Sequence, residues 1–118
     1  MSESVSTLLK ADKNVLFAYM FGSCVDGSAD ERSDVDIAVY LQDISLDQRL
    51  SLLHRLQKAL HKKVDLVVLN EVKNIYLLEA ILYHGKLLKD HPDRQEWELY
   101  KEHEIKDFKA FRKAIDAA

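Results

Sequence analysis

A seven-residue apolar run, Val15 to Phe21, stops at Gly22-Ser23, and ten residues further on two aspartates, Asp34 and Asp36, open a second apolar run, Ile37 to Leu41. That spacing predicts a strand, a turn, a short helix and a second strand. Side chains alternate along a strand, so Asp34 and Asp36 share one face while Val35 and Ile37 point into the core. Two carboxylates are thereby forced together.

Like charges on one face of a half-buried strand repel, and both stay ionised only when a positive charge stands between them. A divalent cation supplies it. Mg²⁺ suits the pair because it takes one or two carboxylates and completes its shell with water and substrate phosphates. Gly22-Ser23 offers the complementary half. Glycine lets the backbone turn sharply and approach a ligand, and Ser23 is expected to cap a helix whose free N–H groups favour phosphate. A third acid, Asp65, lies in the run Lys63 to Leu69 and shares a face with Val67 if that run is a neighbouring strand. Three acids from two strands can serve two metals.

Gly-Ser, ten residues, Asp-x-Asp and a later strand with one more acid together resemble the nucleotidyltransferase superfamily related to DNA polymerase beta. The small size resembles its minimal nucleotidyltransferase branch. The resemblance spans roughly Val15 to Asp90. Gly-Ser occurs twice, at Gly22 and at Gly27, but only the first follows an apolar run at the required spacing. The resemblance implies an α/β (α+β) fold, with a small mixed sheet covered by helices. It implies Asp34, Asp36 and Asp65 as metal ligands and catalytic residues for two Mg²⁺ ions, with Mn²⁺ as a substitute. Gly22 and Ser23 are then the nucleotide-binding residues. Many members carry basic residues between Gly-Ser and the aspartates; this chain instead has Asp26, Asp30 and Glu31 there, with Arg32 as the cation.

At 118 residues the chain is expected to form one domain, with its core over about 15–90 and a C-terminal helix over about 93–117. A net charge of −3 argues against a broad grip on nucleic acid, and hence against a polymerase on long templates. No apolar run approaches a membrane span, and the N-terminus lacks the pattern of a signal peptide. A cytoplasmic protein is expected, and the single cysteine, Cys24, suits a reducing compartment. No His pairs recognisably with Cys24, so it is read as filling a small space at a helix start. The five His show no metal-ligand spacing and are read as surface or packing residues.

Elsewhere, Ser4 to Lys13 predicts an opening helix with Val5, Leu8 and Leu9 inward. Leu46 to Lys62 predicts a crossover helix capped by Ser45, with Leu46, Leu50, Leu53, Leu56 and Leu60 as its apolar stripe. Lys62-Lys63 at its end is read either as complementing the helix C-terminus or as a contact to a substrate phosphate near Asp65. Val72 to Tyr83 predicts a core helix ending at Gly85 as a C′ residue, and Gly85 to Lys89 a short closing strand. Trp97, Tyr100, Phe108, Phe111 and Ile115 form a stripe on the last helix, either core or a partner face.

Two classes of function follow. As an enzyme, the chain transfers a nucleoside monophosphate from ATP, or another nucleoside triphosphate, to a hydroxyl. As a binding module, it keeps the fold without the chemistry. Minimal nucleotidyltransferases of this kind resemble the antitoxins of toxin–antitoxin pairs whose toxin is a helical HEPN-type ribonuclease. That implies AMP transfer to a toxin tyrosine. The alternative acceptor is a small molecule of the antibiotic type, for which the chain lacks the usual added helical domain.

Overall fold

The computed structural model describes residues 2–27 and 32–117. The elements run α1 (Ser2–Ala11), β1 (Val15–Phe21), α2 (Ser23–Asp26), β2 (Val35–Leu41), α3 (Leu46–Leu60), β3 (Val64–Val68), α4 (Ile75–His84), β4 (Lys86–Lys89) and α5 (Arg94–Ala117). The strands form one mixed sheet in the order β3-β2-β1-β4. β1 is antiparallel to β2 and to β4, and β3 joins β2 in parallel through the α3 crossover. The expected α/β architecture with helices over a small mixed sheet is the one observed.

Alternation along the strands gives the sheet two apolar faces. One carries Val35, Ile37, Val39 and Leu41 of β2 with Val64 of β3, and is covered by Val5 and Leu9 of α1 and Leu52 and Leu56 of α3. The other carries Phe17, Tyr19 and Phe21 of β1 with Ala38 of β2, and is covered by Ile81 of α4 and Trp97 of α5. A sheet buried on both sides needs continuous apolar runs, which β1 and β2 supply everywhere except at Asp36.

The ends of the chain are tied into the sheet from far away in sequence. Ser6 Oγ donates to Leu88 O at 2.8 Å. Lys89 Nζ donates to Leu9 O at 3.0 Å and Asp12 O at 2.9 Å, adding a second donor to carbonyls that already accept from Asp12 N and Val15 N where α1 ends. Arg55 on α3 pairs with Asp12 at 2.7 Å.

Three expectations need correcting. In α3 the buried residues are Leu52 and Leu56, whereas Leu46 is 64% and Leu50 53% exposed. The inward face is rotated from the predicted stripe because α1 and the sheet meet the helix on the Leu52 side. Its C-cap is His61 in the left-handed region (φ 54°), so α3 ends at Leu60 rather than Lys62. Gly85 does follow α4, but in an extended conformation (φ −75°), not as a left-handed cap. Its lack of a side chain serves close packing, since a Cβ there would lie 2.3 Å from Ile81 O.

The aromatic stripe of α5 divides. Trp97 packs against Phe17 and Tyr40 with ring centroids 5.2 and 6.1 Å away. Phe108 meets Tyr76 edge-on at 5.9 Å. Tyr100, Phe111 and Ile115 are exposed, and the fully buried residue of the helix is Ile105. Among the described residues, no helix is long and apolar enough to cross a membrane.

Candidate active site

The site begins where β1 leaves the sheet. Gly22 adopts φ 77° and ψ −153°, a combination that side-chain-bearing residues avoid. Its carbonyl accepts from the backbone N–H groups of Val25 (3.0 Å) and Asp26 (3.1 Å). Gly22, not Ser23, therefore occupies the N-cap position of α2. The expected Ser23 cap is not formed: Ser23 is the first helical residue, and no side chain caps this four-residue helix. Ser23 is left half-buried beside the turn.

Asp36 is the polar interruption in β2. It pairs in register with Phe21 on one side and with Asp65 of β3 on the other. Strand alternation puts Asp36 on the face of Ala38 and Tyr40, and Asp65 on the face of Val67, as the spacing predicts. Asp34 stands just before β2, close enough for its charge to act on Asp36. Burial pushes the Asp36 carboxyl above the usual range, and the charges of Asp65 and Asp34, with a hydrogen bond to Asp65, push it further. The structure thus brings all three predicted acids into electrostatic contact. Asp36 is half-buried while Asp34 and Asp65 are exposed, so the cluster opens to solvent on one side.

Among the described residues no three His, Cys, Asp or Glu side chains stand in the geometry of a preformed metal cage. Mg²⁺ does not require one, since water and substrate phosphate fill most of its shell. Asp36, raised above the usual range with Asp34 and Asp65 beside it, presents with them the all-oxygen donor set that a hard cation takes, and the residues present fit the ion in that respect. The loop before β2 is anchored by Cys24 Sγ, which donates to Asp34 O at 3.6 Å, and by Val35 N, which donates to Lys63 O at 3.0 Å. Cys24 also packs against the core, as its structural reading expects. Ser28, Asp30 and Glu31 of the acidic segment lie outside the described residues.

His84, read from the sequence with the other histidines as a surface or packing residue, is exposed at the end of α4. It lines a cavity of about 330 Å³ together with Gly22, Val25, Asp26 and Ala80, between α2 and the end of α4. The signal available in the sequence was its place immediately before Gly85 and the closing strand. A larger hollow of about 410 Å³, lined by Asp90, His91, Pro92, Arg94 and Gln95, lies at the opposite end of β4, where Arg94 pairs with Asp90 at 2.6 Å.

Residues 3–94 match the family described as Polymerase beta, Nucleotidyltransferase. The chain belongs to this family. Among solved structures, this nucleotidyltransferase is similar to a chain of a toxin–antitoxin complex with AMP-PNP, at 28% identity and a TM-score of 0.80, covering 98% of this chain and 95% of that one. A chain of a mutant MntA–HpeT toxin–antitoxin complex gives 26% identity and a TM-score of 0.81, with 99% and 96% covered. A chain from the complex of an AMPylated Shewanella oneidensis HEPN toxin with its MNT antitoxin shares the fold, at 24% identity, a TM-score of 0.71, and 99% and 97% covered. No curated protein matches the sequence.

Proposed function

We propose that this nucleotidyltransferase transfers AMP from ATP to a tyrosine hydroxyl of a HEPN-type toxin and acts as the antitoxin of that pair. The observation that carries the reading is the register of Asp36 with Asp65, with Asp34 beside them and Gly22 against Asp36. The partner is supported by solved chains at 26–28% identity that come from toxin–antitoxin complexes, one of them with AMP-PNP.

Asp34, Asp36 and Asp65 would hold two Mg²⁺ ions, which when bound neutralise charge on the transferring phosphorus and lower the barrier to deprotonating the acceptor. Gly22 and Ser23 orient the triphosphate at the end of β1. The acceptor oxygen attacks the α-phosphorus, its proton passes toward Asp65, and the bond to the bridging oxygen breaks with its electron pair leaving on pyrophosphate. A protein acceptor brings its own surface, which suits a site open to solvent.

The test is incubation with ATP, Mg²⁺ and a purified HEPN-type toxin, followed by intact-mass measurement. The intact chain should add AMP to the toxin. Asp65→Asn should keep much of the ATP binding and lose transfer by about 10²-fold or more. A tight, neutralising complex with no modification under any nucleotide or metal would leave a binding module in place of an enzyme.

A further inference from the structure

At the end of the sheet that carries the acids, the strand order sets four positions in a row: Asp65 on β3, Asp36 on β2, Gly22 where β1 ends, and the entry to β4. Lys86 of β4 pairs with Met20 of β1, so His84, two residues earlier, stands at the same end as Gly22. The cavity between Gly22 and His84 closes the row.

With the triphosphate oriented by Gly22 and Ser23 as proposed above, we propose that His84, on the far wall of this cavity, donates a hydrogen bond to the departing pyrophosphate. The inference rests on the nucleotidyl-transfer reading and assigns a residue to its leaving-group side. In an in-line displacement the attacking and leaving oxygens lie on opposite sides of the phosphorus. With the acceptor on the Asp65 side and the α-phosphorus at Asp34 and Asp36, the leaving group points along the row toward β1 and β4. The electron pair of the broken P–O bond stays on pyrophosphate, and the acceptor's proton goes toward Asp65. His84 therefore needs only to donate, which an imidazole can do in either charge form.

The cavity wall fits that role. Gly22 and Ala80 leave space, and Val25 keeps one side apolar, which strengthens a hydrogen bond made there. The Asp26 carboxylate on the same wall repels phosphate, so a donor on the α4 side is what tips the balance toward an anion. Asp26 has an interaction of its own.

Calorimetry on the full chain with Mg²⁺, comparing AMP-PNP with AMP, tests this without any acceptor. His84 is exposed, so His84→Ala should fold and melt as the parent does. It should lose about tenfold in AMP-PNP affinity, as expected for a bond to a charged group, and leave AMP affinity unchanged. His84→Gln keeps an N–H donor and should recover most of the loss. Asp26→Asn should move AMP-PNP affinity the opposite way. Equal losses for AMP-PNP and AMP would assign the cavity to the nucleoside, and unchanged AMP-PNP affinity would remove His84 from the site; either result overturns the proposal while leaving nucleotidyl transfer intact. Failure of the parent chain to bind AMP-PNP at all would instead overturn the transfer reading itself.

Discussion

A β-carbon placed on Gly22 would lie 2.2 Å from Asp36 Oδ2, so the bare α-carbon of one residue is the floor on which the carboxylate of the other rests. The glycine is doubly required, by this contact and by its backbone angles. The two halves of the Gly-Ser and Asp-x-Asp pattern are therefore one packing unit.

Gly22→Ala should destabilise the fold by about 2 kcal/mol and abolish nucleotide transfer, since a left-sided backbone angle and a steric clash act together. Urea unfolding of Gly22→Ala, Asp36→Ala and the double variant separates the causes. The double variant should be more stable than the sum of the single effects predicts, because removing the carboxylate relieves the clash but not the strain.

Asp36→Asn should abolish metal-dependent ATP binding yet leave the chain folded and, without metal, at least as stable at neutral pH. The sign follows from its raised carboxyl. Between the ordinary value and the raised one, the folded chain holds more protons than the unfolded chain, so this group's contribution to stability falls as pH rises through that window. Melting curves from pH 3 upward should show that decline in the parent and a flatter profile in Asp36→Asn.

Ser23→Ala should cost less than about 0.5 kcal/mol in stability, because the cap of α2 is the Gly22 carbonyl and no serine cap bond exists to lose. Weakened AMP-PNP binding at unchanged melting temperature would assign Ser23 to the nucleotide. Unchanged binding would remove it from the site.

Trp97→Ala should destabilise by about 2–4 kcal/mol, since it strips the rings of Phe17 and Tyr40 of their cover. Phe111→Ala, at 64% exposed, should leave stability within about 0.5 kcal/mol. If the end of α5 meets the HEPN-type partner, Phe111→Ala weakens association measured by calorimetry at unchanged melting temperature; equal affinities would place the partner elsewhere.

Much of this arrangement is legible in the sequence because a strand's period is short. Asp34, Asp36 and Asp65 could be assigned to faces from alternation alone, and their apolar neighbours bounded β1 exactly and β2 closely. Helices are harder to orient. α3 carries leucines at 46, 50, 52, 53, 56 and 60, enough for two overlapping stripes that share Leu56, and the positions of α1 and the sheet decide that Leu52 joins it inward. Ser23 looked like a cap because its residue type favours one, but the carbonyl of a residue that only glycine can replace had already taken the position. His84 reads as an ordinary surface or packing histidine because its place before Gly85 does not say what it will face; that is set by β4 folding back beside β1.

That return of β4 also sets an order of events. Lys89 holds the end of α1 from a sequence distance of about eighty residues, and Ser6 is held by Leu88 from a similar distance. During synthesis α1 leaves the ribosome well before β4, so the helix must wait for its lock to emerge. A chain cut just before Leu88 keeps both central strands and all three acids but loses every hydrogen bond that ties α1 to β4. A chain cut after Phe108 loses only exposed turns of α5, so a nested set of C-terminal truncations should pass abruptly from soluble to aggregating between these two points.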